Sequence, residues 1–561
     1  MGPLLALRAG ARPPVARAAN TPQGLEADPH RWFNAFCTFS RSESIRLRKG
    51  RTMAVYLGID VGTSGTKSLL TTPRGKVLAT ATAEYDFEVP KPGWTQQDPD
   101  LWWQATVRSV RAVLRKAKVP GKQVAGIGLS GQMHGLVITD GAGRPLRPCL
   151  MWNDQRTAAQ AAAIERACGG RRGLIRLVGN AAMTSFTLTK LLWVRDHEPR
   201  IYSKIKHLLL PKDYVRLCLT GEYVGEVSDM SGTLMLDQRR RKWSKKIIEI
   251  FQLDADILPP VVESHEVTGT VRKEAAAKLG LAEGLPVVGG GGDQPAGAVG
   301  NGIVRDGLTS ATMGTSGVVY THSRKYVVDP DSRVNTFCSS VDGEYCMFGC
   351  VLSAGGSFQW FRNVLGQAEI AAARRKKVDP YELLTAQAEA APVGCEGVFW
   401  LPYLTGERTP HADPFAKGGW IGIHAGTGRG ELIRAVMEGA TFAMNDTVRI
   451  LRDERKLPIR QIRLSGGGAR SAFWRQMQAD IYGTTCVTIN AEEGPAYGVA
   501  LLAAVGTGRY RDIREACKAA ISITRTSKPT AKTKRLYAKH YAQYRRLYPA
   551  LKAEFAEIAK L

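Results

Sequence analysis

The sequence predicts an α/β chain of two related domains, and three observations carry the prediction. A Gly-Thr-Ser-Gly turn between short β-prone runs occurs at residues 62–65 and again at 314–317. Elsewhere, apolar runs that end in glycines alternate with segments of helical spacing. With 561 residues the chain also exceeds one ordinary core. Matching turns in the two halves suggest domains that face each other across a nucleotide phosphate tail.

In the first of these stretches, the runs at 55–59 and 68–70 predict a β-hairpin. Its turn is Gly62, Thr63, Ser64 and Gly65, residues that supply loose backbone and hydroxyl donors. Successive N–H groups in such a turn form a concave nest for an anion. Asp60 ends the first strand and is a poor neighbour for phosphate by itself. It fits if Mg²⁺ lies between, bound directly or through water, because that ion takes one or two carboxylates together with phosphate oxygens. Lys67 returns positive charge to the same place. Gly314, Thr315, Ser316 and Gly317 repeat the pattern between a short apolar run and a β-branched one.

Composition narrows the class. Hydrophobic residues make up 44% and charged residues 23%, values of a globular protein. No run approaches ~18 consecutive apolar residues, so no transmembrane helix is predicted. The ten cysteines are scattered, and Cys346 and Cys350 have no partner pair at metal-ligand spacing. Reduced thiols in a cytoplasmic setting are the reading. The net charge of +26 invites a nucleic-acid reading, which its distribution argues against. Residues 1–52 hold nine basic to three acidic residues and residues 521–561 hold ten to two, so over half of the excess sits on the two ends.

Residues 1–52, rich in Arg, Ala and Pro, read as an unstructured or mis-assigned leader, with a targeting segment as the alternative. After the hairpin, Asp98 as N-cap and Pro99 at the first position predict a helix over residues 101–118. Residues 124–138 read as a strand, a loop and a second strand. In the loop Gln132, Met133 and His134 stand between glycines, well placed to touch a ligand. The cluster at 151–156 binds hydroxyls or caps the next helix, and residue 187 begins a short amphipathic helix. At 286–300 a strand enters four glycines, then Asp293 and Gln294, then a Pro-Ala helix start. Glycines let backbone approach a ligand; Asp293 serves either as a helix cap or as a catalytic carboxylate, and four glycines exceed what a cap needs. Further on, a helix is expected over 430–445, and a strand enters a turn of Gly466, Gly467 and Gly468 that suits a flat adenine or ribose. Residues 494–502 start a small-residue helix suited to close packing. Tyr537, Tyr541, Tyr544 and Tyr548 mark one face of a basic C-terminal helix packed on the body.

Taken in order, the 60–67 loop, Gln132 to Gly135, Trp152 to Asp154, the 185–193 segment, 289–294, 314–317, 406–411 and 466–470 resemble the FGGY family of carbohydrate kinases over roughly residues 53–550. The resemblance implies two ribonuclease-H-like (actin-like ATPase) domains that face a central cleft. It places an N-terminal sugar and phosphate domain at 53–300, a nucleotide domain at 301–520 and the basic helix at 521–561. It implies ATP-dependent phosphorylation of D-xylulose to D-xylulose 5-phosphate. Asp293 becomes the base, and Asp60 lies near magnesium and phosphate. Gln132, Met133, His134 and Gln294 meet the sugar; Gly62, Thr63, Ser64, Lys67, Gly314, Thr315, Ser316 and residues 466–468 meet ATP. Glycerol kinases carry an Arg-Glu pair where Met133 and His134 stand, which argues against glycerol. Gln294 stands where Asn is common in xylulose-specific members, so ribulose, fuculose or gluconate kinases are alternatives. A sugar-independent ATPase of the same fold is a more distant one. Nothing in loose phosphoryl transfer requires the pKa of Asp293 to be raised. The partners expected are a sugar and ATP, without nucleic acid or membrane, and a homodimer is left open.

Overall fold

The computed structural model describes residues 54–491 and 493–561; the leader expected over 1–52 lies outside them. Strand alternation builds the first sheet. In β1 (Val55–Val61), Val55, Leu57, Ile59 and Val61 are buried on one face, while Tyr56, Gly58 and Asp60 take the other. The expected hairpin is present: β2 (Gly65–Thr71) pairs antiparallel with β1 and sets Lys67 opposite Asp60. β3 (Val77–Glu84) extends this meander, and β4 (Val124–Gly131) lies parallel on the other side of β1. With β5 (Val267–Thr270) and β6 (Pro286–Val288) the order is β5-β6-β4-β1-β2-β3.

Helix α1 (Pro99–Ala117) starts as expected. The Asp98 carboxylate accepts from the Asp100 N–H at 3.0 Å, and Pro99 takes the first position. Its apolar stripe, Trp102, Ala105, Val110 and Val113, covers the Leu57 and Ile59 face of the sheet. Helix α2 (Thr187–His197) departs from expectation. It is buried from Thr187 through Val194, polar residues included, and so is not amphipathic. The Lys190 ammonium and the threonine hydroxyls find backbone carbonyls instead of water. Helix α3 (Asp293–Gly300) follows the glycine run directly.

The second sheet repeats this plan. β7 (Gly307–Met313) and β8 (Gly317–Ser323) form the second hairpin. β9 (Asn335–Cys338) and β10 (Tyr345–Val351) extend it on one side; β11 (Ile459–Gly466), β12 (Thr485–Ile489) and β13 (Ile523–Ser527) lie on the other, in the order β9-β10-β8-β7-β11-β12-β13. In both sheets the hairpin's first strand has an antiparallel neighbour on one side and a parallel one on the other. β13 carries this sheet past the boundary expected at 520.

Around it lie α4 (Ala354–Leu365), α5 (Arg429–Arg449) and α6 (Ala472–Tyr482). α5 runs beyond the expected end and closes in a π turn, Ile450–Glu454. α7 (Gly494–Gly506) belongs to the second half by sequence but packs on the first sheet, in a cluster with Tyr56, Leu69 and Val288. The contact needs glycine: a Cβ at Gly58 would lie 1.8 Å from the Ala496 carbonyl oxygen. α8 (Ala531–Ile558) seats the tyrosine face as expected, with Tyr537, Tyr544 and Tyr548 buried. The hydroxyls of Tyr537, Tyr541 and Tyr548 donate to Glu438, Asp446 and Asp413 at 2.8, 2.5 and 2.6 Å.

Candidate active site

The first turn closes with the Gly62 N–H donating to the Gly65 carbonyl at 3.0 Å. Side chains from elsewhere in the domain fix it. The Tyr85 hydroxyl donates to the Gly62 carbonyl at 2.7 Å, and the Trp152 indole N–H donates to Thr63 Oγ1 at 3.0 Å. Gln97 donates to the Thr63 carbonyl at 3.1 Å and accepts from Gln132 Nε2 at 3.0 Å. Gln132, expected at the sugar, directs its amide N–H₂ towards Gln97 and the Gly62 carbonyl of this turn. Lys67, expected to return positive charge to the phosphate site, forms an ion pair with Glu493. The 151–156 cluster does not cap the next helix. Asp154 accepts from the Thr95 N–H at 2.7 Å and pairs with Arg156 at 2.8 Å.

β1, β4 and the short strand Gly291–Gly292 run parallel and end together, which brings Asp60 and Asp293 to one place. Ligands of open α/β sheets bind at such carboxyl ends. Burial pushes Asp60 up to about 6. Burial, reinforced by the negative charge of Asp60, pushes Asp293 up to about 7, so its pKa is raised where none was required. Asp293 is the first helical residue of α3, with Gly292 at the N-cap position, and its carboxylate accepts from Gln294 in that first turn. Asp60 Oδ1 is buried without a hydrogen-bond partner, the setting of an oxygen that suits a cation. Among the described residues no group of three or more His, Cys, Asp or Glu forms a metal cage. The neighbouring carboxylates of Asp60 and Asp293, with the unpartnered Asp60 oxygen, fit Mg²⁺, which takes one or two carboxylates with phosphate and water.

The glycine run serves the protein more than a ligand. Gly290 has φ 74°, and a Cβ there would lie 1.8 Å from the Leu129 carbonyl oxygen. At Gly292 a Cβ would meet the Met133 side chain at 2.7 Å. The loop of Met133 and His134 thus lies directly against the residue that precedes Asp293, while Gln294 stands partly exposed beside it. His134 is partly exposed, and its Nδ1 lies 3.0 Å from the Gly232 carbonyl oxygen. A carbonyl only accepts, so Nδ1 carries the proton and Nε2 remains an acceptor. Burial lowers the pKa of this ring to about 3, which keeps it neutral.

In the second half a cavity of about 680 Å³ brings together Gly314, Thr315, Gly467 and Gly468, walled by Phe358, Tyr381 and Trp474. The Gly314 N–H donates to the Ser316 carbonyl at 2.9 Å, and the Gly356 N–H, in the first turn of α4, donates to the Thr315 carbonyl at 2.9 Å. Gly466 has φ 77°, and a Cβ there would meet the Met313 carbonyl oxygen at 2.4 Å. β7 and β11 bring the two glycine turns side by side by pairing Met313 with Gly466. The aromatic wall escaped the sequence reading. Asp379-Pro380 signals the helix start that carries Tyr381, but no local signal turns that helix towards the glycines.

The model of the FGGY family of carbohydrate kinases matches residues 55–300 with its N-terminal domain and 309–507 with its C-terminal domain. A xylulose kinase of Bacillus subtilis is 36% identical over 496 residues, 88% of this chain and 97% of that protein. A crystal structure described as a xyloylose kinase from Brucella ovis superimposes with a TM-score of 0.81 at 34% identity, covering 89% of this chain and 99% of that one. A gluconate kinase from Lactobacillus acidophilus superimposes with a TM-score of 0.83 at 25% identity, covering 90% and 100%.

Proposed function

The chain belongs to the FGGY family of carbohydrate kinases, and from that premise we propose that it transfers the γ-phosphoryl group of ATP to D-xylulose, giving D-xylulose 5-phosphate and ADP. The observation that carries the reading is Met133 packed against Gly292, which sets the Met133 and His134 loop beside Asp293. The sugar binds against this loop and Gln294, with His134 Nε2 accepting from a hydroxyl. Asp293 takes the proton of the attacking hydroxyl as its oxygen bonds to the γ-phosphorus and the bond to the β–γ bridging oxygen breaks. Thr63, Ser64 and the backbone of the first turn hold the transferring phosphoryl, and Lys67 joins them by exchanging Glu493 for phosphate. Gly314, Thr315, Ser316 and the 466–468 turn hold the rest of the nucleotide, with the base against the aromatic wall. Asp60 would hold Mg²⁺, which when bound neutralises phosphate charge. The expected setting is the cytoplasm, with no nucleic-acid or membrane partner; among the described residues no helix is long and apolar enough to cross a membrane.

A second reading keeps the mechanism and changes the sugar. The gluconate kinase likeness and Gln294 favour it. Coupled ADP release from the full chain with D-xylulose, D-ribulose, L-fuculose, D-gluconate and glycerol decides. Strong preference for D-xylulose supports the proposal, and preference for another sugar moves the assignment to it. ADP release unchanged by any sugar overturns the kinase reading.

A further inference from the structure

We propose that Lys190 is a positioning residue for sugar binding, holding His134 in the backbone conformation that presents its ring to the substrate. His134 has φ 70°, a region that a residue with a Cβ seldom occupies unless its surroundings impose it. Its carbonyl accepts from Lys190 Nζ at 2.8 Å and from Thr187 Oγ1 at 3.1 Å. The same ammonium donates to the Ser185 carbonyl at 2.5 Å, tying the loop that carries His134 to the start of α2. Above this anchor the imidazole meets Gly232 through Nδ1 and lies edge-on to Phe186 and Phe337, with ring centres 4.9 and 5.9 Å away. Backbone and ring are thus fixed independently, which leaves Nε2 with a set direction.

Lys190 is fully buried and forms no ion pair among the described residues. Burial lowers its pKa to about 7, opposed only by Cys149 and Asp154 nearby. A methionine would fill similar space without desolvating a charge. What the ammonium adds is its pair of carbonyl contacts, and one of them fixes a strained residue at the cleft.

The inference rests on the reading that His134 meets the sugar, and the experiment separates the two. Kinetics of ADP release are measured for the wild type, Lys190→Met and Thr187→Val, varying the best sugar and ATP separately. Thr187→Val is close to isosteric and removes one donor to the His134 carbonyl while Lys190 stays. The expected result is a sugar KM raised at least tenfold in Lys190→Met and two- to fivefold in Thr187→Val, with ATP KM within twofold of wild type in both. If Lys190→Met does not fold, the Thr187→Val shift carries the test alone. Unchanged sugar KM in the folded variants, or parallel rises in sugar and ATP KM, overturns the positioning role. A wild type without sugar-dependent ADP release overturns the sugar reading and this inference with it.

Discussion

The first Gly-Thr-Ser-Gly turn is held by side chains of Tyr85, Gln97, Gln132 and Trp152, whereas the second is held through backbone, by Gly314 to Ser316 and Gly356 to Thr315. The first sits by two carboxylates with raised pKa values, while the second opens on a cavity with an aromatic wall. On the proposed assignment, one sequence pattern supports two tasks. Where a reacting phosphoryl must be aligned, extra bonds fix the turn, because small misplacements there cost rate. Where a nucleotide is merely retained, a looser turn suffices. On the proposed assignment, the first turn governs turnover and the second governs ATP affinity.

The largest test lies beside the first turn. Asp293→Ala is expected to lower turnover about 10²–10⁴-fold, the usual contribution of a general base, with ATP KM little changed. Collapse of ATP affinity instead would make the residue structural and break the contrast. Next, Trp152→Phe deletes the bond to Thr63 Oγ1 and should lower kcat about three- to tenfold, the equivalent of one hydrogen bond. Thr315→Val should raise ATP KM by about threefold and leave kcat alone, since backbone holds that turn. Equal kcat losses in the Trp152 and Thr315 variants would erase the difference between the turns.

The smallest effect concerns a buried carboxylate that belongs to neither turn. Glu407 accepts from the N–H groups of Leu352 and Arg408 at 3.0 and 2.7 Å, and burial pushes its pKa up to about 8. Its folded pKa is higher than the unfolded value, so the folded state holds an extra proton at intermediate pH. Stability from this site is therefore full at low pH and lost as pH rises through about 8. Glu407→Gln should flatten the fall in Tm between pH 6 and 9, by about 1–2 °C, read by differential scanning calorimetry. An unaltered slope would show that Glu407 does not titrate in this range.

What the sequence made legible was local. Both hairpins, the Asp98-Pro99 helix start and the tyrosine face of α8 depend on residues a few positions apart, where turn chemistry and periodicity act. The convergence of Asp60, Asp293, Met133 and His134 followed from the motifs once the resemblance to the family was recognised. What the sequence left hidden came largely from tertiary contacts. Lys67 meets Glu493 across 426 positions, and Gln132 reaches back to Gln97. α2 is not amphipathic because carbonyls satisfy its polar residues, that of His134 from far along the chain and those of Ser185 and Phe186 from the preceding turn. The 289–292 glycines looked like room for a ligand, and Leu129 and Met133 fill that room.

The seat of α7 on the first sheet bears on how the chain is made. Val288, Val299 and Tyr56 are among the residues that α7 covers, so this face lacks its lid until position 506 has left the ribosome. At ordinary synthesis speeds that is roughly 10–40 s after residue 300 emerges. During that interval the nascent amino-terminal half carries an unshielded apolar face, so it is a natural client for a chaperone. A fragment ending at residue 300 should precipitate or remain chaperone-bound, and adding residues 494–506 in trans should release it.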